Sequence, residues 1–216
     1  MKTDIQIQQD VMAELKWEPK INAAHVGVEV KNGVVTLSGH VDSFAEKWNA
    51  EEAAKRVAGV KAIAVELDVV LPGSSKRSDT DIAKAAMDAL KWNVYKLADL
   101  VSIKVEDGFI TLTGDVPWNF ERISAENSVR YLKGVKGVYN FIRVKPLISV
   151  TTVKDDIERA LKRRAHDQAQ EISVSIHGDE VTLGGKIHDW KEKSLAIDAV
   201  WAIPGVKKVI DNTTFA

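Results

Sequence analysis

The stretch Val28-Glu29-Val30-Lys31-Asn32-Gly33-Val34-Val35-Thr36-Leu37-Ser38-Gly39-His40-Val41 decides the fold, because two apolar-alternating runs meet there at an Asn-Gly pair. Alternation puts Val26, Val28 and Val30 on one face of a strand, and Val35, Leu37 and Val41 continue it on the return. Asn32-Gly33 suits a two-residue hairpin turn, in which both central positions take positive φ. Before the hairpin, Ile7, Val11 and Leu15 recur every four residues, as one face of a helix does. After it, Ala50, Ala54 and Val57 return to helical spacing, and Ile63, Val65, Leu67 and Val69 alternate as a last strand. One unit therefore reads α-β-β-α-β.

The unit is repeated. Leu15-Lys16-Trp17 returns as Leu90-Lys91-Trp92, and the same offset of 75 carries Gly33 to Gly108, Gly39 to Gly114 and Gly59 to Gly134 without a gap. A third copy follows at an offset of 71, taking Gly114 to Gly185 and Gly134-Val135-Lys136 to Gly205-Val206-Lys207. Thr3, Ser78 and Ser149 stand at equivalent helix starts, with Gln6 or Asp81 three residues on as in a capping box. The 216 residues thus divide into three small domains, at 1–71, 79–146 and 149–216. The class is α+β, with three tandem α-β-β-α-β modules, each with two helices over one face of a small sheet. Leu71–Ser78 is a polar Pro/Gly/Ser linker, whereas Pro146–Val150 is shorter and mostly apolar. Copies two and three are therefore expected to sit closer, with copy one the freer.

Composition narrows the chemistry. Thirty basic against thirty-one acidic residues give a net charge of -1, too balanced for a nucleic-acid binder held by a basic field. By copy the charge is -3, then +2 in the linker, +1 and -1. With no cysteine there is no disulfide, thiolate nucleophile or thiolate metal site. No run approaches the roughly 18 apolar residues of a membrane span. With Met1 as its start the chain reads as cytoplasmic; as a processed form it would read as periplasmic.

The remaining candidates divide between architecture and contact. Gly33 and Gly108 are turn residues, Gly39, Gly114 and Gly185 end the return strand, and Gly59, Gly134 and Gly205 stop helices. None forms a phosphate loop, which needs its glycines between a strand and a helix N-terminus. Glu46, Glu121 and Glu192 recur in the first turn of the second helix, where the helix dipole favours a carboxylate. His25, His40, His166, His177 and His188 occupy no equivalent positions and lack the i, i+4 spacing of a metal helix, although His177 and His188 flank the third hairpin. No catalytic group, metal or cofactor is called for. Six tryptophans are the more informative signal. Trp17 and Trp92 end the first helix, and Trp118 and Trp190 precede the second. Such rings either cap the core or give an amphipathic contact surface beside Lys and Arg. Trp48 and Trp201 have no aromatic counterpart, and Trp190 and Trp201 are the preferred exposed contacts, with Trp118 a further candidate. Lys162-Arg163-Arg164 is the densest basic run, preceded by Asp155, Asp156 and Glu158.

The frame from Val28 to Val41, followed by Glu46-Lys47, Ala50-Glu51 and Gly59-Val60-Lys61, resembles the BON domain, named for bacterial osmotically inducible and nodulation proteins. Val105 to Val116 with Gly134-Val135-Lys136, and Val174 to Ile187 with Gly205-Val206-Lys207, repeat that frame. Copy three departs from it, with Gly178-Asp179 at its turn and Arg163 at the Trp17 and Trp92 position. The resemblance implies a mixed three-stranded sheet on two helices. It further implies a non-enzymatic role in osmotic-stress or envelope protection, through contact with anionic phospholipid or an envelope protein. Tandem weak sites would then act by avidity. The alternative is a cytoplasmic interaction scaffold or holdase-like protein that binds proteins and not lipid.

Overall fold

A computed structural model describes residues 2–145, 172–203 and 205–215. By mutual contact the chain forms two compact units, one of Met1–Gly114 with Ile123–Ile142, the other of Asp115–Arg122 with Arg143 onward. The expectation that copy one stands freer than its neighbours is not met, since copy one and most of copy two share the first unit. The linker is short and carries its own helical turn at Gly73–Ser75.

Copy one begins with α1, Asp4–Trp17, whose buried stripe is Ile7, Val11 and Leu15. Its start is a full capping box: the Thr3 hydroxyl accepts from the Gln6 N–H, and the Gln6 side chain accepts from the Thr3 N–H. The hairpin strands β1, Val26–Lys31, and β2, Val34–Val41, pair antiparallel. Asn32 at φ 54 and Gly33 at φ 77 form the expected left-handed turn. Helix α2, Phe44–Lys55, then crosses back, and β3, Ala62–Val69, pairs parallel to β2. The sheet order is β1-β2-β3, so β2 is central and the sheet is mixed. The core is Ile7, Val11, Leu15, Val35, Leu37, Ala50, Ala53, Ala54 and Leu67, all nearly sealed from solvent. The small residues Ala50, Ala53 and Ala54 let α2 lie close on the strands beneath.

Copy two repeats the plan in α3, Asp79–Lys91, β4, Val101–Glu106, β5, Phe109–Val116, α4, Asn119–Arg130, and β6, Gly137–Val144. In copy three the described elements are β7, Ile172–His177, β8, Glu180–Ile187, α5, Trp190–Trp201, and β9, Lys208–Phe215. The sheets are ordered β4-β5-β6 and β7-β8-β9, and the pairing in copy three is again antiparallel then parallel. The first helix expected there, on Val153, Ile157 and Leu161 with its cap at Ser149, lies outside the described residues.

One glycine class sits elsewhere than expected. Gly39 does not end β2; it lies within it, opposite Val26, at φ 116. A Cβ there would stand 2.1 Å from the His25 carbonyl oxygen, so the entry of β1 crosses β2 only over a bare backbone. Gly114 within β5 meets the Leu100 carbonyl oxygen at the same 2.1 Å, and Gly185 lies inside β8 opposite Ile172. The other glycines read as architecture take turn positions.

Candidate interaction surface

The tryptophans are distributed in reverse of the expectation. Trp17 is 87% exposed and Trp92 86%, whereas Trp118, Trp190 and Trp201 are half-buried. The cause is helix phase. Trp17 follows the buried Leu15 by two residues, about 200° round the axis at 3.6 residues per turn, and Trp92 follows Leu90 likewise. Both indoles therefore leave the core, each directly after a lysine, Lys16 or Lys91.

Trp201, a preferred exposed contact, instead packs on the core of copy three with Ile172, Val174 and Ile176, and Arg122 lies 5.3 Å from its ring centroid. Trp190, the other, leans on Phe215 at 5.5 Å, with the Lys193 ammonium 5.2 Å from its ring. Trp118 stacks with Phe120 at 6.2 Å. Trp48, which the repeats do not demand, lies under the Arg130 guanidinium at 3.8 Å. Lys162, Arg163 and Arg164 lie outside the described residues.

The repeated carboxylates do more than meet a helix dipole. Glu46 is buried and accepts from the Asn22 N–H at 2.6 Å and the Asp42 N–H at 2.9 Å, which ties two loops to the start of α2. Glu121 accepts from the Trp118 N–H at 3.0 Å, and Glu192 from the His188 N–H at 2.7 Å. These carboxylates have backbone partners, as a structural acid does. His188 turns to Glu192 and not to His177. Among the described residues the histidines that do meet are His25 and His40, with ring centroids 4.5 Å apart; His166 lies outside them. Among the described residues no group of three histidines or carboxylates is arranged to hold a metal, and no helix is long and apolar enough to cross a membrane.

Sequence reading missed an aromatic row on the open sheet face of copy two. Phe109 on β5 stacks with Tyr139 on β6 at 5.8 Å, and Tyr139 with Phe141 at 6.4 Å, with adjacent ring planes within 16° of each other. The three are 37%, 52% and 64% exposed. Gly137 makes room for the row, since a Cβ there would fall 2.6 Å from the Phe109 ring. The alternation along β6 carries the signal: Tyr139, Phe141 and Arg143 are exposed, whereas Ile142 and Val144 point inward. Farther along, the Asp115 carboxyl is held below the ordinary carboxylate range by hydrogen bonds from Lys145 and Arg143. In copy three Lys207 lowers Asp179 in the same way.

Also missed were Asp4 and Asp79. The Asp4 carboxylate accepts from the N–H groups of Asn32 and Gly33 at 2.7 and 3.0 Å, and Asp79 from those of Asp107 and Gly108 at 2.8 and 2.9 Å. Each locks a hairpin turn to the first helix. The available signal was their equivalence at the offset of 75; copy three has Val150 there.

The BON domain family model matches residues 3–70, 78–146 and 149–216. The osmotically-inducible protein Y of Escherichia coli (strain K12) is 32% identical over 146 residues, covering 66% of this chain and 73% of that protein. Among solved structures, CdsD, a structural protein of the Type III secretion system of Chlamydia trachomatis, matches with a TM-score of 0.26 and 15% identity over 96% of this chain and 91% of its own. The PrgH periplasmic domain matches with a TM-score of 0.22 and 13% identity over 89% and 95%.

Proposed function

The chain belongs to the BON domain family, and from that premise we propose that it is a non-enzymatic, stress-associated binding protein whose tandem modules make repeated weak contacts with anionic phospholipid surfaces. The observation that carries this reading is the equivalence of Trp17 and Trp92. Both rings are almost wholly in solvent, each sits beside a lysine, and neither contributes to a core. An indole beside an ammonium suits the boundary between acyl chains and headgroups, where the ring is partly buried and the cation meets phosphate. Two such points on one chain bind by avidity where either alone is weak. Similarity to the osmotically-inducible protein Y supports the association with osmotic stress.

Flotation of the full chain with neutral and with anionic vesicles, at low and moderate salt, tests the proposal. Binding to anionic vesicles that weakens with salt is expected, with a loss in Trp17→Ala or Trp92→Ala and a steeper loss in the double variant. Absence of binding under every condition overturns it. The aromatic row of copy two favours a second reading, a protein interaction scaffold, because clustered Tyr, Phe and Arg mark protein interfaces.

A further inference from the structure

We propose that the sheet face of copy two docks on the sheet face of copy one of a second chain. The two faces are built on one frame and filled with opposite chemistry. At the places of Phe109, Gly137, Tyr139, Phe141 and Arg143, copy one carries Val34, Ala62, Ala64, Glu66 and Asp68. Copies one and three form the same sheet without any aromatic residue at these positions, so the fold does not require the row. Copy three has Glu180, Lys208, Ile210, Asn212 and Thr214 there.

The aromatic row is exposed and stacked within itself. Opposite it, the face of copy one is low, with the small side chains of Ala62 and Ala64, and acidic, with Glu66 and Asp68 exposed. Rings that stand proud of one sheet fill the space above small residues on another, at the roughly 10 Å spacing of packed sheets. Charge fits as well: β6 runs on to Arg143 and Lys145, two cations that share the single carboxylate of Asp115, where copy one has Asp68. A lipid surface is the poorer occupant of this row, because its end carries Asp115 as well as Arg143 and Lys145, and stacked rings beside mixed charge suit a protein face better than anionic headgroups. Each chain holds one face of each kind. The contact is therefore heterologous and open-ended, and three short strands a side make it weak.

Sedimentation equilibrium of the full chain, from micromolar to millimolar concentration, is the test. The mass average is expected to rise continuously, without a dimer plateau, and to fall with added salt. Phe141→Glu and Tyr139→Ala, which install the residues copy one carries at those places, should each weaken self-association by about tenfold, the usual cost of removing an aromatic anchor. Glu66→Lys should do the same from the other side. The decisive arm mixes Phe141→Glu chains with Glu66→Lys chains: each retains one intact face, so the mixture forms 1:1 heterodimers and stops there. A chain that stays monomeric at every concentration, an inert mixture, or aromatic variants that lose vesicle flotation and keep the mass profile of the parent would overturn the proposal.

Discussion

The Arg130 guanidinium lies 3.8 Å from the ring centroid of Trp48, which joins α4 of copy two to α2 of copy one. Arg130 is also paired with Glu126 at 2.6 Å, so one guanidinium serves both the carboxylate and the indole. Truncating either partner should lower stability by about 1–2 kcal/mol through the lost cation–π contact alone, and more for Arg130→Ala, which also removes the ion pair to Glu126. A double-mutant cycle in urea with Trp48→Leu should return a coupling of about 1 kcal/mol or more. A coupling indistinguishable from zero would mean that the two copies are held together by other contacts.

The hairpin clamps predict a difference between copies. Asp79→Ala removes a charged acceptor from two turn N–H groups and should cost about 1–3 kcal/mol. Amide exchange at Asp107 and Gly108 should accelerate, while the turn of copy one, clamped by Asp4, should keep its rate.

Glycine substitutions should separate by backbone geometry. Gly39→Ala places a Cβ 2.1 Å from a carbonyl oxygen at positive φ, and should cost about 3 kcal/mol or prevent folding. Gly73→Ala, with nothing within 4 Å and no positive φ, should stay within about 0.5 kcal/mol of the parent in thermal melts.

Acid should act through Asp115. Hydrogen bonds from Lys145 and then Arg143 lower its folded pKa below the unfolded value, so the unfolded chain takes up the proton first. The contribution is present above the ordinary carboxylate pKa of about 4 and is lost as pH falls through the folded value. Asp115→Asn should therefore be less stable than the parent at pH 6, and the two denaturation curves should converge in strong acid. Curves that remain equally separated at all pH values would exclude this linkage.

Much of the architecture is legible in sequence because period reports face. The four-residue spacing of Ile7, Val11 and Leu15, the alternation from Val26 to Val30 and the Asn32-Gly33 turn are local patterns, and the offsets of 75 and 71 repeat them. They establish the element order and the three modules. Period does not report which element an apolar face meets. The parallel docking of β3 on β2, the place of Gly39 within its strand and the burial of Trp201 under Arg122 arise from contacts between distant segments. Phe109 and Tyr139 stand thirty residues apart and become one surface only when β5 and β6 come together. The exposure of Trp17 and Trp92 follows from helix phase and is carried by the period itself, whereas the packing of Trp201 on the core of copy three was decided in three dimensions, because exposure there depends on what distant segments bring against the ring.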